Sequence, residues 1–166
     1  MRNLIALCSL ALLTACGGGY SFTGGDVGDA KSVSVAFFPN YADLVQPQLS
    51  QTFTEKLRDI FVQQTSLELT DRAADLQFEG SIIGYSIKPI SAQASEIGQV
   101  AQNRLTIEVN VIFTNKLEEK KSFERKFSRF EDFDANADIS AVESELIETI
   151  TQQLAENILN QSIGNW

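Results

Sequence analysis

Positive charge in this 166-residue chain is concentrated where it could recognise anions. Seven of its 13 basic residues fall between positions 104 and 129: Arg104, Lys116, Lys120, Lys121, Arg125, Lys126 and Arg129. Guanidinium forks and ammonium groups bind phosphate oxygens strongly, Arg often through two parallel hydrogen bonds. Arg125 and Arg129 share one strand parity, and Lys120 and Lys126 share another. One reading is a basic sheet face or edge, Lys120, Lys121, Arg125, Lys126 and Arg129, turned towards the phosphates of an anionic glycolipid. The other is a solvated strand whose charges discourage edge-to-edge pairing.

The acidic residues invite a different chemistry. Asp132, Asp134, Asn136, Asp138 and Glu143 match positions 1, 3, 5, 7 and 12 of a calcium loop, with Ile139 at its usual apolar position. Ala137 replaces the glycine that makes the sharp turn, and a strand precedes the loop where a helix is required. The simpler reading is an acidic loop into a helix start, with Glu143 engaged in a cap, so no metal is expected. No histidine is present, which excludes a Ser-His-Asp triad and a Cys-His pair and removes the commonest general base and metal ligand. Glu143, Glu145 and Glu148 read as solvated helix carboxylates, so no catalytic residue and no cofactor are expected.

The two cysteines, Cys8 and Cys16, both precede residue 17. Met1-Arg2 is a positive start, and Leu4 to Leu13 is an apolar run too short to span a bilayer, which takes about 20 residues. Leu13-Thr14-Ala15-Cys16 then resembles the bacterial lipobox. That resemblance implies a signal peptide over 1–15, cleavage before Cys16, diacylglycerol on its sulfur and acylation of the freed amine. Multiple acyl chains give stable membrane anchoring where one chain does not. Gly17-Gly18-Gly19 follows with no aspartate, which by the same resemblance points to the periplasmic side of the outer membrane. Loss of Arg2 with the signal leaves 12 basic against 22 acidic residues, a formal charge of −10 that argues against nucleic acid.

The remaining elements must position these residues. Six glycines between 17 and 30 make a tether, so 16–30 is read as acylated Cys and linker, and 31–166 as one domain. Lys31 to Phe38 reads as a strand stopped by Pro39-Asn40. Leu49, Phe53, Leu57, Ile60 and Phe61 form one apolar stripe, predicting a helix over 46–64 with Pro47 in its first turn. Leu67 to Thr70 is a short strand candidate. Leu76, Phe78 and Ile82 alternate with polar residues before the parity shifts to Ile83, Tyr85 and Ile87, which predicts a bulge near Ile82-Ile83. Strands over 105–113 and 122–129 follow, then a helix with a capping box Ser140 to Glu143 and a stripe Val142, Leu146, Ile147, Ile150, Leu154 and Ile158. The order β-α-β-β-β-β-α predicts an α+β two-layer sandwich: a mainly antiparallel sheet of four or five strands with two helices on one face.

With these pieces in order, the chain resembles the LptE family of lipopolysaccharide-assembly lipoproteins in its Bacteroidetes form. The resemblance rests on Cys16-Gly17, Tyr20-Ser21-Phe22-Thr23-Gly24, Phe37-Phe38-Pro39-Asn40, Phe78-Glu79-Gly80 with Gly84-Tyr85, Asn103-Arg104-Leu105, Phe127-Ser128-Arg129-Phe130 and the closing Asn165-Trp166. It implies a non-enzymatic protein that plugs and helps assemble the β-barrel translocon (an LptD-type partner) and supports lipopolysaccharide transport to the outer leaflet. The open alternative is a periplasmic binding or chaperone-like lipoprotein unrelated to lipopolysaccharide.

Overall fold

Apolar periodicity sets the architecture. The computed structural model describes residues 27–90 and 101–164; the expected signal segment 1–15, Cys16, most of the expected tether and Asn165-Trp166 lie outside the described residues. Five strands and two helices occur in the expected order: β1 (Ser32–Val35), α1 (Leu49–Gln64), β2 (Glu68–Leu69), β3 (Leu76–Ile90), β4 (Gln102–Asn115), β5 (Phe123–Asp134) and α2 (Ile139–Ile163). The sheet order is β2-β1-β3-β4-β5. β1 pairs in parallel with both β2 and β3, whereas β3, β4 and β5 form an antiparallel meander. α1 supplies the crossover that two parallel neighbours require. The fold is the expected α+β sandwich, with a mixed sheet.

Every residue of the predicted α1 stripe is buried. The helix begins at Leu49, and Pro47 falls in the turn before it. On β4 the residues Leu105, Ile107, Val109, Val111 and Phe113 are almost wholly buried, so one sheet face carries the core. Both helices pack on that face and touch each other. Phe78 lies at its centre, with ring centroids 4.6 Å from Phe61 and 4.8 Å from Phe113. The opposite face presents Ser81, Ser86, Thr106, Asn110, Thr114 and Ser128, an antiparallel sheet with one wet side.

The register of β3 and β4 shifts between Ile82 and Gly84, where the parity change predicts a bulge. Two residues earlier, Gly80 has φ +154°, and a Cβ there would stand 2.0 Å from the Asn110 carbonyl oxygen and 2.7 Å from Phe38. Only glycine fits this crossing. β1 is locked at its start by Asp75, whose Oδ2 accepts from Lys31 N (2.9 Å), Ser32 N (3.1 Å) and Ser32 Oγ (3.0 Å). At its end, Arg58 donates two hydrogen bonds to the Val35 carbonyl, at 3.2 and 2.8 Å.

Two expectations are corrected. β5 continues through Asp134, beyond the predicted end at 129, because its last residues pair with Gln102, Asn103 and Arg104. The α2 cap is Asp138, whose side chain accepts from Ser140 N, so Ser140 to Glu143 does not form the capping box. Ser140 lies inside the first turn, and Glu143 faces other partners.

Candidate functional site

The five basic residues singled out from the sequence occupy three places. Lys120 and Lys121 lie on a short 3-10 turn, Glu119–Lys121, between β4 and β5. Lys121 Nζ meets Glu118 Oε1 at 2.7 Å. This turn is at the end of the domain where the described chain begins: a Cβ on Gly28 would lie 3.6 Å from the same Glu118 oxygen. Arg125 and Arg129 pair across β4 with Val111 and Ile107, which are core residues, so both arginines project to the helix side of the sheet. Lys126 pairs with Asn110 and projects to the open side. The structure therefore groups the lysines of the turn, groups the two arginines, and separates Lys126 from the arginines by the sheet itself.

The arginines belong to a polar seam between β5 and α2. Gln153, Asn157 and Gln161 recur every four residues and so line one face of the helix. Arg125 donates to Gln161 at 2.5 Å, Arg129 to Asn157 at 2.7 Å, and Gln153 to Glu131 at 2.5 Å. The arginines thus meet neutral amides, and among the described residues no carboxylate pairs with them. A shallow groove of about 250 Å³ runs here, lined by Lys126, Phe127, Ser128, Arg129, Asn157 and Gln161.

On the open face, Arg104 grips Asp132 with two hydrogen bonds of 2.7 and 2.9 Å and lies 3.6 Å above the Phe130 ring centroid. The guanidinium holds the Asp132 carboxyl below its usual range, and the carboxylate raises the arginine in turn. This engages the first residue of the calcium-loop pattern. Its second, Asp134, ends β5 and accepts from Asn136, and Asp138 caps α2. The acidic run is strand, short connection and helix, with its side chains turned to local backbone and Arg104.

Sequence reasoning missed two features. Tyr85 donates to Glu143 Oε1 at 2.5 Å and Gln46 donates to Glu143 Oε2 at 3.0 Å, tying β3, the loop before α1 and the start of α2 together. Burial, then the hydrogen bond and charge of Glu143, push the Tyr85 hydroxyl well above its ordinary pKa. The partners are 58 and 97 residues from Glu143, so no local spacing announces them. The second is an ordered apolar segment after β1. Phe37, Tyr41, Leu44 and Val45 are all more than half exposed, while Phe38 is buried and Tyr41 N is fixed to the Ile82 carbonyl. The Phe37-Phe38 pair was legible as strand alternation, but not that the chain leaves the sheet there.

A model of the LptE family, described as lipopolysaccharide-assembly, matches residues 30–162. No curated protein matches the chain. Among solved structures, a minor lipoprotein from Acinetobacter baumannii is similar in fold, with 14% identity, a TM-score of 0.53 and coverage of 80% of this chain and 91% of that one. A hypothetical protein from Chlamydia trachomatis has 10% identity and a TM-score of 0.53, covering 81% and 96%. A putative neuraminyllactose-binding hemagglutinin homolog from Helicobacter pylori has 12% identity and a TM-score of 0.51, covering 86% and 88%. At these identities the similarity concerns the fold.

Proposed function

The chain belongs to the LptE lipopolysaccharide-assembly family, and on that premise we propose that it is an acylated outer-membrane lipoprotein that plugs and helps assemble a β-barrel translocon for lipopolysaccharide. The observation that carries this reading is the family match over nearly the whole described domain. The surface agrees with it: the open sheet face is mostly polar and charged, as suits a polar barrel lumen. In this reading the protein has no catalytic role. Cys16 carries the lipid, and the segment from Cys16 to Val27, where the chain packs onto the core, gives the domain a reach of up to about 40 Å from the bilayer. Affinity capture of the acylated chain from detergent-solubilised outer membranes tests the proposal. Recovery of a large β-barrel partner is expected; capture without one removes the plug reading.

Lys120 and Lys121 keep the phosphate-contact reading because their turn lies at the tether end of the domain, the side an acyl anchor would hold near lipid headgroups. Reversal of both charges is expected to weaken binding to lipopolysaccharide micelles at low salt, and unchanged binding would end that assignment. Arg125 and Arg129, on the helix side, and Lys126, on the open side, lie away from that turn.

A further inference from the structure

β5 is one edge of the sheet: β4 lies on one side of it, and among the described residues no strand lies on the other. The direction of its backbone groups follows from one hydrogen bond. Ala135 N donates to the Ala101 carbonyl at 2.9 Å, and this pair continues the β4–β5 register without a shift. In an antiparallel ladder, directly opposite residues alternate between hydrogen-bonded and non-hydrogen-bonded pairs. Odd-numbered β5 residues therefore spend their N–H and C=O groups on β4. Glu124, Lys126, Ser128, Phe130 and Asp132 turn theirs outward. The Ser128 carbonyl is reached by the Arg129 side chain at 3.4 Å, as that direction requires.

The other edge is blunted, since β2 has only two residues. β5 has twelve, with no proline and no bulge. Its centre carries Arg125, Lys126 and Arg129, and none of the three lies within ion-pair distance of a carboxylate among the described residues. The two arginines are about 13 Å apart along the strand at roughly 3.3 Å per residue. That spacing, four residues, matches side chains i and i+4 on one face of a neighbouring strand.

A second copy of β5 brings like charges together in its central registers: centred on Lys126 it opposes Lys126 with itself, and centred on Phe127 it opposes Arg125 with Arg129. Like charges directly opposite one another are destabilising. We infer that the free edge of β5 is a docking edge that takes up an extended acidic segment of another polypeptide as an added strand. Backbone groups of Lys126, Ser128 and Phe130 would supply the ladder, and Arg125 and Arg129 would read carboxylates on its helix-side face. This stands whether or not the partner is a translocon barrel.

Amide hydrogen exchange on the full-length lipoprotein in detergent micelles tests it, with a synthetic octapeptide alternating valine and glutamate as probe and its valine–lysine counterpart as control. The glutamate peptide is expected to slow exchange at Lys126, Ser128 and Phe130 at least tenfold, and the lysine peptide to leave them unchanged. Ser128→Pro removes one outward N–H at a position where an edge strand tolerates proline. It is expected to weaken glutamate-peptide binding tenfold or more while the circular dichroism spectrum is kept. Should that variant misfold, Arg125→Glu with Arg129→Glu decides instead: the preference should switch to the lysine peptide. Unslowed edge amides, equal slowing by both peptides, dimerisation through β5, or slowing by inorganic phosphate to the same extent would each overturn the inference.

Discussion

The two sides of the sheet are built on different principles. On the β2–β1 side the strands are two and four residues long, and named polar contacts hold them: Asp75 at the start of β1, Arg58 at its end, Thr54 Oγ1 accepting from Phe38 N. On the β3–β4–β5 side, strands of 12 to 15 residues are held by long ladders and, on β3 and β4, by an apolar face. The short side closes its backbone groups with side chains. Among the described residues, the long side leaves a whole edge open. Side chains thus complete the structure where strands are short, and long regular pairing leaves spare hydrogen-bonding capacity at its rim.

The largest effect is expected at the seam between the two sides. Phe78 touches both, through Phe61 and Phe113, and Phe78→Ala should cost about 3–5 kcal/mol in urea-monitored unfolding. A loss under about 1 kcal/mol would mean that the two sides are not joined through this ring. Gly80→Ala, at the same seam, forces a Cβ against the Asn110 carbonyl and should cost about 2–4 kcal/mol. Tyr85→Phe leaves Glu143 with Gln46 but removes its closest donor, and a loss of about 1 kcal/mol is expected.

The polar lock of the short side should respond to acid. Hydrogen bonds from Lys31 N, then Ser32, hold the Asp75 carboxyl below its usual pKa. A depressed carboxylate pKa stabilises the fold fully above the unfolded-state value, about 3.9, and that contribution fades as pH falls through the folded-state value. The stability gap between wild type and Asp75→Asn should therefore be widest near neutral pH and shrink below about pH 4. A gap that stays constant from pH 7 to pH 2.5 would show that the carboxylate charge is not what locks β1. The smallest effect is expected at the open edge: Ser128→Ala should change stability by less than about 0.5 kcal/mol.

This contrast also explains what the sequence could reveal. The α1 stripe, the alternation of β4 and the bulge of β3 were legible because burial on one face imposes a period of 3.6 or 2 on nearby residues. The shared parity of Arg125 and Arg129 was legible too. Their direction was not, because β5 is an edge strand with weak alternation, and its face is set only by pairing with β4. The α2 cap was misread because Asp138 and Ser140 are both good capping residues, and the spacing to Glu143 favoured the wrong one. Glu143 answers to Tyr85 and Gln46, partners supplied by tertiary packing alone.

The bulge at Ile83 has a consequence for how this chain can change length. Ile82 faces Val109 and Gly84 faces Glu108, so Ile83 has no partner of its own in the ladder. Inserting or deleting a residue elsewhere in β3 would throw everything beyond it out of phase, exchanging Tyr85 and Ile87 with Ser86 and Lys88. Deleting Ile83 keeps the phase, since Ile82 and Tyr85 already point to the same side. In a strand of 15 residues, position 83 is where the chain can lose a residue while each face keeps its side chains.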